Sequence, residues 1–198
     1  MSEHRFWGGS IRKVWASETD RFRAHLMRLD KESRRLRFAH VVSDSFVEEY
    51  AAHVHDGGGL LYGFFHDGEL RAAAELRKIG QVWGKEAEAA FSVEKEYQDR
   101  GIGNELMGRV IRAARNRGIQ HLYVSCLAEN RKMVAIAKKH EADLRFEYGE
   151  VLGDIVPTEA NYVSILAEAV EDRVGYMLAV LDIQSRLRSE ARPAQLGT

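Results

Sequence analysis

Cysteine is nearly absent. Cys126 is the one cysteine in 198 residues, so no internal disulfide can form. A chain without disulfides fits a reducing, cytoplasmic setting, and that is the compartment expected. Proline is almost as rare, with two residues, of which Pro157 alone falls inside patterned sequence. No apolar run approaches the roughly 18 residues that a membrane-spanning helix needs. The opening stretch MSEHRFWGGS has no basic segment followed by an apolar one, so no secretory signal is expected. Neither sign of charge dominates: 29 Lys and Arg face 30 Asp and Glu, a formal net charge of −1. A balanced chain projects little field, so neither nucleic acid nor an anionic membrane is an expected partner.

What the chain does have is ordinary globular composition, 45% hydrophobic and 30% charged, with 17 glycines supplying the punctuation. Residues 10–16, SIRKVWA, alternate as a half-buried strand does. SETDRFRAHLMRLD reads as a helix, with Ser17 as its N-cap. DKESRRLRF lacks clean periodicity and reads as a loop. Residues 43–54 form a second helix, capped by Ser43 or Asp44. DGGG ends it, and two apolar runs joined through Asp67-Gly68 predict a hairpin. A strand over 86–93 follows, then a helix from about 103 to 117 and a buried strand over 121–127. A short helix over 129–140 comes next, then strand-like sequence over 143–155, broken at Gly149 or Gly153. Beyond Pro157 the pattern is one long amphipathic helix. Val163, Leu166, Val170, Val174, Met177 and Leu181 recur on it at spacings of three and four. ARPAQLGT reads as a frayed tail.

The segment QDRGIGN, residues 98–104, lies between the 86–93 strand and the next helix. A helix N-terminus carries unpaired amides and a positive dipole end. Gly101 and Gly103 clear side-chain bulk from it, and Arg100 and Arg109 bring charge. The local chemistry favours an anion such as a pyrophosphate. A Rossmann turn would need a third glycine where Leu106 stands, and no Gly-Lys-Ser/Thr phosphate loop is present.

Gln98-x-x-Gly101-x-Gly103 resembles the Q/R-x-x-G-x-G/A signature of the GNAT superfamily of N-acetyltransferases. The stretch from AEAAFSV to AIAKKH resembles the acetyl-CoA core of that family: strand, phosphate turn, helix, strand, Asn, helix. SRRLRF (33–38) and AENRKM (128–133) are similar to segments of the GNAT domain in Pat-type bacterial protein lysine acetyltransferases. The resemblance implies an α/β fold with a mixed central sheet flanked by helices over residues 1–156, and a helical extension over 157–198. It implies acetyl-CoA as cofactor, held by the main chain of Phe91, Ser92 and Val93, and by Gln98, Asp99, Arg100, Gly101, Ile102, Gly103 and Asn104. Asn130 matches the family's cofactor-contacting Asn, and by itself it is also a good N-cap.

The implied chemistry is direct transfer of an acetyl group to a primary amine, on a protein lysine or a small molecule. An amine near pKa ~10.4 must lose a proton before it attacks. Glu88 is the first candidate base, matching the acidic residue of the Pat-type pattern AEFAV; Glu86 and Glu94 are alternates, and a solvated edge carboxylate is the plain reading of all three. The family's general-acid Tyr is replaced by Ala137, leaving Tyr123, Tyr148 and Cys126 as candidates. The family's Gly-Phe after the last core helix is Glu141-Ala142. These departures motivate the rival expectation of a non-catalytic acyl-CoA sensor or assembly module. Arg35, Arg37 and Phe38 fall where the family lines its acceptor site, or form a solvated loop. His53 and His55 lack further ligands at useful spacing, so no metal is expected. The C-terminal seam packs either on this domain or across a homodimer.

Overall fold

The computed structural model describes residues 8–190. A seven-stranded sheet runs through it, in the order β1-β2-β3-β4-β5-β7-β6. The strands are β1 (Ser10–Lys13), β2 (Leu60–His66), β3 (Glu69–Lys78), β4 (Glu86–Val93), β5 (His121–Leu127), β6 (Asp143–Glu147) and β7 (Glu150–Ile155). β4 and β5 are parallel; every other neighbouring pair is antiparallel. The helices are α1 (Thr19–Arg28), α2 (Lys31–Phe38), α3 (Asp44–Ala52), α4 (Ile102–Arg115), α5 (Arg131–Lys139) and α6 (Tyr162–Glu190).

Two apolar clusters sandwich the sheet. On one face, Ile102, Leu106, Met107 and Val110 of α4 and Met133 of α5 pack on Phe64, Ala87, Ala89 and Leu122. On the other, Phe22 and Leu26 of α1 and Val47 and Ala51 of α3 pack on Leu61, Phe65 and Leu70. β2 and β3 are therefore covered on both sides, and their apolar runs are nearly continuous. The hairpin between them turns at Asp67-Gly68, both at positive φ, as the sequence predicts.

Residues 31–38 are a helix, not the loop expected. Asp30 caps α2 by accepting from the amides of Glu32 and Ser33, and Ala39 ends it in the left-handed region. No residue of α2 is fully buried, so packing stamps no apolar period on it. Ser17 is not a cap: a 3-10 turn over Ala16–Glu18 precedes α1. Ser43 caps α3 through the amide of Phe46. The break expected in 143–155 falls at Tyr148-Gly149, the turn between β6 and β7, while Gly153 sits within β7.

α6 lies against β1 and α4 by its polar side. Glu168 pairs with Arg117 at 2.8 Å, Glu171 with Arg112 at 2.7 Å and Arg109 at 3.0 Å, Asp172 with Lys13, and Asp182 with Arg21 at 2.6 Å. A Cβ at Gly175 would come within 3.0 Å of Arg12 Cβ, so the helix crosses β1 closely there. The seam residues Val163 to Leu181 face solvent, which removes packing on this domain as their role. The tail expected over 191–198 lies outside the described residues. Among the described residues no helix is long and apolar enough to cross a membrane.

Candidate active site

The sheet splits at its centre. β4 and β5 pair from Glu86↔His121 to Ala89↔Val124 and no further, although β4 continues to Val93 and β5 to Leu127. β4 keeps its ladder with β3 as far as Ala72↔Val93. Beyond Ala89 its β5-facing backbone groups are consequently without a strand partner, and backbone polar groups need one.

A cleft of about 380 Å³ opens at this split. Phe91, Ser92, Val93, Gln98, Asp99, Gly101, Ile102, Gly103, Asn104 and Asn130 all line it. Of the expected cofactor residues Arg100 alone is not in the lining; its guanidinium lies 5.3 Å from the Tyr97 ring centroid. The two glycines have separate reasons. Gly101 is the N-cap of α4 at φ +80°, a left-handed conformation that suits glycine. A Cβ on Gly103 would stand 3.1 Å from Ile136 Cδ1, so this glycine lets α4 approach α5. No side chain caps α4, and its first intrahelical bond is Glu105 N–H to Gly101 O at 3.0 Å. The amides of Ile102, Gly103 and Asn104 thus point into the cleft mouth with the positive end of the helix dipole.

The cation at this mouth is Lys132 of α5, not Arg109. Arg109 is turned away into its pair with Glu171 and a second contact with Glu105 at 3.4 Å. Lys132 Nζ donates to Asp99 at 2.7 Å and Gln98 Oε1 at 2.9 Å. Gln98 Nε2 in turn donates to Val93 O at 3.0 Å, tying the turn to the end of β4. Asn104 Oδ1 is buried in the cleft wall without a hydrogen-bond partner. A glycine-cleared helix mouth and a lysine suit a phosphate-bearing ligand, while the Asn104 oxygen calls for a donor such as an amide N–H or a hydroxyl. Asn130 caps α5, accepting from Met133 N–H at 3.2 Å, and still lines the cleft.

A second chamber of about 280 Å³ adjoins the first and shares Leu36, Arg37, Phe91, Asn130 and Met133 with it. Glu88 lines this chamber and pairs with Arg77 at 3.0 Å, both side chains being over a third exposed. Glu86 does not reach it; it accepts from Tyr123 O–H at 2.9 Å at the far end of β4. Glu94 does not either. It is buried among His25, Arg28 and Arg71, each 3.0 Å away. Burial would raise the Glu94 pKa, but hydrogen bonds from His25 and Arg71 and the Arg28 charge hold it below the usual value. Ser92 Oγ joins the same network, 2.8 Å from His25 Nε2.

Of the acid candidates, Cys126 lines the chamber, and burial raises its thiol pKa. Tyr123 is engaged with Glu86, and Tyr148 is fully exposed on the β6–β7 turn. Ala137 is buried in α5 and offers no hydroxyl. Arg37 and Phe38 line the chamber, while Arg35 pairs outside it with Glu32 and Glu129.

Three groups escaped sequence reasoning: Tyr50 and Arg77, which line the chamber, and Glu75 behind them. Tyr50 O–H donates to Glu75 Oε2 at 2.5 Å and accepts from Arg37 at 2.7 Å and Arg77 at 3.2 Å. Glu75 is buried and ion-paired with Arg37. Burial pushes the Tyr50 pKa up to about 12. Burial disfavours the Arg37 charge, yet the Glu75 and Tyr50 contacts keep its pKa above the ordinary value. The signal was a lone Glu inside the apolar run RAAAEL, since a charge in a buried strand demands partners. A further cavity of about 420 Å³ shares Phe46, Tyr50 and Arg77 and carries the chamber outward past Glu49, His53 and Lys78. His53 Nδ1 lies 2.8 Å from Glu49 O, and among the described residues no three His, Cys, Asp or Glu gather as metal ligands.

A family model described as Acetyltransferase (GNAT) family matches residues 23–141, more than half of the chain. Among solved structures, the GNAT domain of S. lividans PAT is similar at 23% identity and a TM-score of 0.63, over 75% of this chain and 90% of that one. The cAMP-binding acyltransferase from Mycobacterium smegmatis is similar at 24% identity and 0.56, over 83% of this chain and 49% of that one. yncA from Salmonella typhimurium, solved with its cofactor acetyl-CoA, gives 14% identity and 0.56, over 77% and 95%. These are likenesses of fold. No curated protein sequence matches. The split sheet, the uncapped glycine turn before α4 and the family match over 23–141 agree, and the chain belongs to the acetyltransferase (GNAT) family.

Proposed function

We propose that the chain transfers an acetyl group from acetyl-CoA to a primary amine, with the donor in the split of the sheet and the amine in the chamber beyond. The observation that carries this is the divergence of β4 from β5 after Ala89, with the uncapped N-terminus of α4 at its mouth. The pyrophosphate is held by the amides of Ile102, Gly103 and Asn104, with Lys132 beside them. The pantetheine arm pairs with β4 main chain at Phe91–Val93. Acetyl-CoA supplies an activated thioester, placed where cleft and chamber meet near Phe91 and Asn130.

The chain's own residues do the rest. The Glu88 carboxylate draws the ammonium form of the acceptor and takes its proton, directly or through water. The freed amine nitrogen bonds to the thioester carbon, the carbon–sulfur bond breaks with its electron pair leaving on sulfur, and the nitrogen sheds its second proton as the amide forms. That second proton ends on the departing sulfur. The Cys126 thiol, kept protonated by burial, lines the chamber and relays it, giving its own proton to sulfur and taking the nitrogen's. The Tyr50 proton, by contrast, is committed to Glu75. Isothermal calorimetry with acetyl-CoA tests the reading. Saturable binding at micromolar to low millimolar cofactor is expected. Absence of binding in that range sinks it.

A further inference from the structure

α6 turns its polar side to the protein and its apolar side to water. The groups meeting the body are Ser164, Glu168, Glu171, Asp172, Gly175, Ala179 and Asp182, and four of the seven are acids paired with Arg or Lys. The opposite face carries Val163, Leu166, Val170, Val174, Met177 and Leu181, exposed by 77, 65, 54, 52, 64 and 59%. A surface helix normally buries its apolar stripe, and this one is inverted. The stripe holds on the order of 700 Å² of exposed surface, above the largest patch of a typical monomer and close to the ~800 Å² per partner of a stable interface.

The spacing identifies the occupant. The six residues repeat as 3-4-4-3-4, so Val163 and Val174 begin successive repeats of an 11-residue pattern, each about three turns long. That period is nearly the helix's own, so the stripe runs straight along the helix without supercoiling away from a partner. The pattern is also close to mirror-symmetric about residue 172. Reversing the helix brings Leu181 to the height of Val163, Met177 to Leu166, and Val174 to Val170. A two-fold contact requires a patch complementary to itself. We propose that this face is a homodimer interface in which α6 packs antiparallel on α6 of a second copy, centred near residue 172. The contact is separate from the acetyl-transfer reading and stands or falls without it.

Light scattering on the full chain is expected to give twice the chain mass. Leu166→Glu with Met177→Glu adds charge at two sites that are exposed in the monomer, so the fold is kept. It should weaken the dimer by at least about 100-fold, because four unpaired charges would otherwise be buried. Cysteine crosslinking fixes the direction. Antiparallel packing holds the two copies of residue 163 about 27 Å apart at 1.5 Å per residue, and places 163 against 181. A mixture of Val163→Cys and Leu181→Cys proteins should therefore crosslink readily, and Val163→Cys alone should not. The proposal is overturned by a wild type that stays monomeric at high concentration, including one that sediments with lipid vesicles instead. A double-Glu variant that still dimerises overturns it too, as does self-crosslinking of Val163→Cys.

Discussion

Glu88 is one of three acidic residues on or beside β4, and its surroundings separate it from the others. Glu94 is locked between the Arg28 and Arg71 guanidiniums and the neutral His25 ring, and Glu86 is spent on Tyr123. Glu88 faces the chamber with a partner that is itself solvated, Arg77. Glu88→Gln keeps the shape and removes the basic oxygen. It should lower kcat by about 100-fold or more while leaving acetyl-CoA affinity within a few-fold of wild type, measured by steady-state turnover beside calorimetry. Unchanged turnover would remove Glu88 as base. His25 makes a prediction of another kind. Burial is the main cause holding its pKa below the ordinary 6.5, against the pull of Glu94. The unfolded chain therefore takes up this proton first as pH falls through 6.5. The stability that neutral His25 contributes is complete above that pH and is lost below it, by at most about 1.4 kcal/mol per pH unit. Glu94, depressed below 4.5, adds loss of the same sign at still lower pH. Urea denaturation between about pH 7.5 and 5.5 should show the decline, and His25→Gln should flatten it; a wild-type profile already flat would contradict the assignment.

At the scale of elements, α4 and the turn before it form the mouth of the cleft, where the proposed donor site lies. Gly103→Glu places a carboxylate at the positive helix mouth and a side chain against Ile136. Acetyl-CoA affinity should drop by about tenfold or more, read by calorimetry, with circular dichroism confirming the fold. Gly103→Ala adds the contact without the charge and should fall between. Wild-type affinity in the Glu variant would mean that the phosphates bind elsewhere. The elements that write a period into the sequence were legible in it: β2 through its continuous apolar run, α4 through its apolar stripe, and the β2–β3 turn through Asp67-Gly68. α2 was not, because a helix with no fully buried residue writes no period and is held by the Asp30 cap and long-range contacts. The cleft lining could be read because much of it is local, crowded into residues 91–104. The acceptor side could not. Tyr50, Glu75, Arg77 and Glu88 meet from α3, β3 and β4, and register across the sheet, which no local pattern encodes, brings them together.

At the scale of the molecule, a three-layer sandwich is interrupted at its middle. An interior strand is ordinarily the part of a sheet whose backbone is most completely satisfied. β4 is interior by position and an edge by bonding over its last four residues, because β5 has already left it. Exposed edges invite strand addition, but residues of α2 and α5 line the opening beside this one. On the proposed reading the donor's arm is a surrogate strand that completes the ladder. Ligand that completes the native ladder and ignores the unfolded chain shifts the folding equilibrium by mass action, by about 2.7 kcal/mol at a hundredfold excess over Kd. On that reading the gap couples folding to the supply of the acyl carrier: the protein should be least robust when that pool is low, and its melting temperature should rise with occupancy.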